Sequence, residues 1–228
     1  MAYASPSTFG SLKTKISKKL IDAGQTAISD SDVGEALNDA LRYWKQKRFW
    51  FNERTTTVTM DPNDPYILQY GNSIAAYPSA PVLPQNFLYE FPEDGFVIKY
   101  SNLSYRFDKV HPKKYDDESV NGIGIPYIYT FRNGNFEFYY LPNLAYQMTV
   151  NYVCDYPDFS ASSDTNDFTQ YADRILTYEA LSHLSGENRQ DDKAENKYAA
   201  LADKEWRLMK KRTTANVGTG ALSIMTIL

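Results

Sequence analysis

The chain has 228 residues, 43% of them hydrophobic and 23% charged, with a formal net charge of -4. That is apolar material for one substantial core or two small ones, and the acidic balance argues against a general nucleic-acid binder, which needs a basic surface to neutralise phosphates. One cysteine (Cys154) excludes an internal disulfide and a cysteine-built zinc cage, two separated histidines leave little imidazole chemistry, and no run is long enough to cross a bilayer.

The first six residues lack the basic and apolar stretches of a secretion signal, so the chain is expected to be made in a reducing cytosol. The first predicted helix places Phe9, Leu12, Ile16 and Leu20 on one face, surrounds them with Lys13, Lys15, Lys18 and Lys19, and stops at Gly24. Four lysines suit a phosphate or an acidic partner; a solvated face with cations towards the helix C-terminus is the commoner arrangement. The second helix is expected to start near Val33, with Asp32 as N-cap and Glu35 completing a capping box. Val33, Leu37, Ala40, Leu41 and Trp44 form its apolar stripe. It runs into Phe49, Trp50 and Phe51, three large rings that no single face can hide. With Trp44 they are expected to wedge at a helix-to-sheet junction.

Beyond this point the apolar period changes to two, and residues 55–156 hold fourteen of the nineteen tyrosines, so the stretch reads as all-β. Strands are predicted at 55–60, 96–100, 104–110 and 147–155, with Pro-punctuated loops at 61–65 and 78–84. The firmest pair is 127–131 with 136–140, turned tightly at Asn133-Gly134. Several short antiparallel strands imply a small sandwich or barrel. Residues 55–160 carry six Lys/Arg against twelve Asp/Glu, so the negative charge of the chain is concentrated here.

After a polar linker at 160–166, helical spacing returns through Tyr171, Ile175, Tyr178 and Leu181 and ends at Ser185-Gly186. A last helix opens with Asp191 and Asp192, buries Tyr198, Leu201 and Trp206, and closes with Lys210, Lys211 and Arg212, which suits the helix dipole at both ends. Residues 213–220 are small, polar and Gly-containing and read as a flexible tether; 221–228 are apolar. If the end is extended, Leu222, Ile224 and Leu228 point one way and Met225 and Ile227 the other, which suits strand addition to a partner. The alternative is a terminal strand tucked into the chain's own sheet. The predicted fold is α+β: a bundle of about four helices (1–54 and 161–212), an inserted antiparallel β-sandwich or barrel (55–160), and an extended C-terminal arm (213–228).

No catalytic, cofactor or metal site is assigned. His111 precedes Pro112 in a predicted loop, His183 sits between Leu181 and Leu184 on a helix, and Cys154 has no neighbouring base in sequence. Asp116-Asp117-Glu118 and the pair Asp61, Asp64 lack the spacing of a calcium loop and read as solvated turns. Gly122-Ile123-Gly124-Ile125-Pro126 lacks the Lys-Ser/Thr of a phosphate-binding loop and reads as a bend. The tyrosines keep open a carbohydrate-binding β-domain, and behind it a polysaccharide or peptidoglycan hydrolase; the same enrichment also marks assembly interfaces.

Two stretches, Asp32-Val33-Gly34-Glu35-Ala36-Leu37-Asn38-Asp39-Ala40-Leu41 and Lys47-Arg48-Phe49-Trp50-Phe51-Asn52-Glu53, carry a resemblance. With the helix–β–helix order, they resemble the head-to-tail adaptor (connector, head-completion) proteins of tailed bacteriophages, especially short-tailed ones. The resemblance implies a non-enzymatic virion protein, assembled in the host cytoplasm, that forms a twelve-fold ring on the portal protein. It further implies an arm reaching the portal (Leu222, Ile224, Met225, Ile227, Leu228), a β-domain facing tail nozzle, tube or fibre proteins, and double-stranded DNA passing without specific binding, with no membrane involved.

Overall fold

The computed structural model describes residues 7–22, 28–60, 62, 67–69, 82–118, 122–187 and 190–221, with the backbone alone over 67–69 and 215–221. The chain divides into two compact units, residues 1–52 with 155–228, and residues 53–154. In chain order the elements begin with α1 (Phe9–Asp22), α2 (Asp30–Trp44), β1 (Glu53–Met60), β2 (Ile67–Gln69) and β3 (Phe87–Glu90). They continue with β4 (Phe96–Tyr100), β5 (Leu103–Arg106), β6 (Asp108–Lys109), α3 (Pro112–Glu118), β7 (Ile128–Arg132) and β8 (Asn135–Tyr139). Last come β9 (Tyr146–Cys154), α4 (Asp167–Tyr171), α5 (Asp173–Gly186) and α6 (Asp192–Ala221). The architecture is α+β, as the patterning predicts.

In the helical unit, α1 begins with a reciprocal cap: Thr8 N–H donates to Ser11 Oγ at 2.9 Å and Ser11 N–H to Thr8 Oγ1 at 3.1 Å. Its stripe is buried as predicted, at Phe9, Leu12, Ile16 and Leu20. Gly24, the predicted stop, lies outside the described residues. The cap of α2 is Ser29, not Asp32. Extended backbone at Ser29 lets its hydroxyl accept from Asp32 N–H at 3.1 Å, so the helix begins a turn earlier and puts Asp30 and Asp32 in its dipole-favoured first turn.

The predicted linker 160–166 is a fixed turn: Asp164 Oδ2 accepts from the N–H groups of Ser160 at 2.7 Å and Ala161 at 2.8 Å, which lowers its pKa. The segment ending in this turn lies along the first two helices. Phe9 stacks on Phe159 at 5.1 Å, Phe9 N–H donates to Asp164 O at 2.9 Å, and Asn38 and Phe159 exchange two hydrogen bonds at 2.8 and 3.1 Å. The predicted tether at 213–220 is instead the end of α6, which carries the helix to Ala221. Thr213 and Thr214 fold their hydroxyls back onto the carbonyls of Met209 and Lys210 at 3.0 Å, so the polar side chains sit on the helix without leaving it.

The β-unit holds two sheets. In the first, β9 is central: β1 runs antiparallel along one edge, from Glu53↔Val153 to Met60↔Tyr146, while β3 and then β4 share the other. Residues between β3 and β4 loop out and back at Asn151, whose amide N–H donates to Gly95 O at 2.8 Å; a Cβ at Gly95 would sit 2.6 Å from Phe91 O. β4 turns into β5 at Ser101 and Asn102, both in the left-handed region.

The second sheet has the order β2-β8-β7-β6. Its β7–β8 hairpin turns at Asn133 (φ 51°) and Gly134 (φ 75°), as the sequence predicts. Among the strands, β6 departs from the antiparallel expectation by running parallel to β7, and the predicted strand 104–110 breaks at Phe107, which turns into the core. Phe96 of the first sheet meets Tyr129, Phe136 and Phe138 of the second at 4.8 to 5.1 Å, so the two sheets close on an aromatic core.

Candidate interaction surfaces

The aromatic motif after α2 folds around a buried amide. Asn52 is 0% exposed; its Oδ1 accepts from Phe49 N–H at 2.7 Å and its Nδ2 donates to Lys47 O at 2.9 Å. With both ends of the amide engaged, the chain reverses over 47–52 and aims Phe49 and Phe51 inward. Their rings stack at 5.1 Å, and Phe168 of α4 stands edge-on to both, at 5.8 and 5.1 Å. Trp50 lies against Tyr171 at 4.7 Å. These ring partners belong to the helical unit's own α4. Nothing in the residue pattern marked Asn52 apart from its place in the motif, because an asparagine becomes informative only when its burial is known.

Trp44 is held by two other helices. Its Nε1 donates to Glu179 Oε2 on α5 at 3.1 Å, and its ring lies 6.2 Å from Trp206 of α6. Glu179 also faces His183 Nε2 at 3.3 Å; the hydrogen bond to this carboxylate raises the imidazole pKa against the opposing effect of burial. The histidine is thus a packed, ion-paired residue. His111 Nδ1 accepts from Lys113 N–H at 3.2 Å and caps α3, and Cys154 is buried at the end of β9.

The α1 lysines are partly committed. Lys13 pairs with Asp30, Lys15 with Asp173 at 2.9 Å, and Lys19 lies over the Tyr178 ring at 5.4 Å, which leaves Lys18 as the most solvent-exposed of the four. In the β-unit, Asp116 accepts from Arg132 at 2.8 Å and belongs to α3, not to an acidic turn. Buried Glu90 takes Lys109 Nζ at 2.6 Å and Tyr129 OH at 3.2 Å; burial, with Glu90 adding to it, pushes the Tyr129 phenol well above its usual value. Tyr115, Tyr129, Tyr139, Tyr146 and Tyr152 are all buried, so their faces are not presented to a sugar. Asp61 and Asp64 lie outside the described residues, as do all five predicted arm residues, Leu222, Ile224, Met225, Ile227 and Leu228. Among the described residues, no group of three or more His, Cys, Asp or Glu could hold a metal ion, and no helix is long and apolar enough to cross a membrane.

What stands out is packing and charged helix surface, with rings used as structural cement. A family model described as SU10 adaptor protein matches residues 7–223, both units included. The chain belongs to the SU10 adaptor protein family. No curated protein matches it. Membership makes it a phage head–tail adaptor, a structural component of the virion, in agreement with the resemblance carried by the α2 and Phe-Trp-Phe segments. The matched span runs past the helical end of α6, so the helix that carries the chain to Ala221 lies wholly within the shared pattern.

Proposed function

We propose that this SU10-family adaptor docks beneath the portal ring of the capsid, as one of about twelve copies, and extends the DNA channel towards the tail. The observation that carries the reading is α6. It is anchored at its middle by Ala202 and Met209 and runs 30 residues, about 45 Å, and the apolar-rich residues 222–228 follow it directly in the sequence. Those residues are the portal-binding arm in this account. Copies are mainly monomeric when free and close into a ring only on the portal, where many arms bind at once. The β-unit meets tail proteins, and its acidic balance keeps DNA moving instead of adhering.

Deleting residues 222–228 tests this. Full burial of Leu222, Ile224, Met225, Ile227 and Leu228 is worth about 8 to 15 kcal/mol gross, against roughly 1 to 2 kcal/mol per residue for ordering the arm. The truncated protein is expected to keep its melting temperature and to lose co-sedimentation with portal-bearing capsids. Truncated protein that still co-sediments would remove the arm from the account.

A further inference from the structure

The outer face of α6 has a defined pattern, with Arg207 paired to Asp203 of the same helix at 2.7 Å. Lys204, Arg207, Leu208 and Lys211 recur at helical spacing, all exposed, opposite the buried Ala202 and Met209. Leu208 lies on this face, 45% exposed, with Lys204, Arg207 and Lys211 beside it.

At the other end of the helical unit the pattern is inverted. A hollow of about 200 Å³ between α2 and α5 has Ala36 and Leu184 on its lining, both buried, and Asp32, Glu35, Asp39 and Glu187 around them. His183 also lines it, turned to Glu179. Asp39 is paired with Arg42 at 2.7 Å; Asp32, Glu35 and Glu187 are exposed. An exposed leucine beside a row of cations thus has its counterpart in an apolar floor with an acidic rim.

The two faces cannot neutralise each other within one chain. Ser182 Oγ donates to Glu195 O at 3.1 Å and Arg174 meets Glu205 at 3.7 Å, so α5 and α6 run antiparallel and the acidic hollow lies near the start of α6. Glu195 and Leu208 are separated by about 20 Å of helix, well beyond the screening length of about 8 Å at physiological salt. The matching surface is available only on another molecule. A contact between different patches of identical chains is head-to-tail, and head-to-tail contacts close into rings when the rotation allows.

We propose that the α6 face bearing Leu208 docks into the α2–α5 hollow of a second copy, and that this is the contact between neighbours. The proposal rests on the ring reading above and names the surfaces that build it. Each contact is weak on its own, as salt-screened rim charges are, and a full set is stable once arms hold the copies side by side.

The test is zero-length carbodiimide cross-linking of a mixture of light and ¹⁵N-labelled protein, free at high concentration and on portal-bearing capsids. Links of Lys204 and Lys211 to Glu35 and Glu187 are expected between light and heavy copies in both samples. Two charge-reversed variants accompany it, Glu35→Lys with Glu187→Lys, and Lys204→Glu with Lys211→Glu. All four positions are exposed, so folding is expected to be unaffected. Each variant alone should load capsids about tenfold less well, and the two mixed should recover light–heavy pairs through their remaining intact faces.

Assembled copies linked only at other positions, or variants that load like the parent, would overturn the proposal. A basic face that meets DNA phosphate or an acidic tail protein gives that same result. If the parent protein does not bind capsids, the portal reading falls, while the free sample still decides the contact: the named links support it and their absence overturns it.

Discussion

Replacing Asn52 by alanine tests whether the turn after α2 is held by its buried amide. The side chain is fully buried and makes two hydrogen bonds to backbone, accepting from Phe49 N–H at 2.7 Å and donating to Lys47 O at 2.9 Å. Removing it strands a buried N–H, about 1 to 3 kcal/mol, and a carbonyl that retains some access to water, about 1 kcal/mol. The sum is about 2 to 4 kcal/mol, or about 10 °C in melting temperature for a unit of this size. Differential scanning calorimetry reads it directly. Asn52→Asp separates the two bonds: it keeps the acceptor for Phe49 but loses the donor to Lys47 and buries a charge. That variant should be at least as unstable at neutral pH and partly recover at low pH, where the protonated carboxyl regains an O–H to donate. An Asn52→Ala protein melting within about 1 °C of the parent would refute the turn as an organising feature of the aromatic cluster.

The remaining predictions concern the cores and the titrating groups. Phe168→Ala removes the ring that stands edge-on to Phe49 and Phe51 and should destabilise the helical unit by about 3 to 5 kcal/mol, with denaturant melts as the check. His183 has its folded pKa raised by Glu179, so its contribution to stability is fully present below the unfolded value and is lost as pH rises through the folded one. The parent should therefore gain melting temperature over His183→Gln at mildly acid pH and lose the advantage in alkali; an advantage that grows with pH would contradict the ion pair. Joint replacement of His111, His183 and Cys154 by small residues should leave capsid loading intact wherever the protein folds, since none of the three is given chemistry in this account.

Elements with a complete local signal were legible in the residues. The stripes of α1 and α2 repeat over several turns, the β7–β8 hairpin has Asn-Gly at its turn, β9 has alternating apolar positions, and β4 is a short apolar run that ends in a turn. Shorter or context-bound features were not. α3 spans seven residues with one well-buried ring, Tyr115, too few for a helical period to emerge. β6 is two residues long and takes its parallel partner from tertiary packing alone. The early start of α2 turned on whether Ser29 or Asp32 held the extended backbone of a cap, two residue types with nearly equal preference. The helical end of α6 was hidden by composition, since Thr and Gly weaken a helix by at most about 1 kcal/mol each and an anchored helix continues through them. Of the candidate site, Trp44, Phe49, Trp50 and Phe51 were visible as large rings in sequence. Their partners Glu179, Phe168 and Tyr171 come from chain segments that only folding brings near, and Asn52, though next to them in sequence, shows its role only through its burial.

The central claim is that this chain assembles on the portal. Low-resolution electron microscopy of portal-bearing, tailless capsids incubated with the purified protein tests it most directly. The account predicts a closed ring of added density beneath the portal, with an open lumen on its axis. Capsids that show no added density at the portal vertex, or density attached elsewhere on the shell, would contradict it.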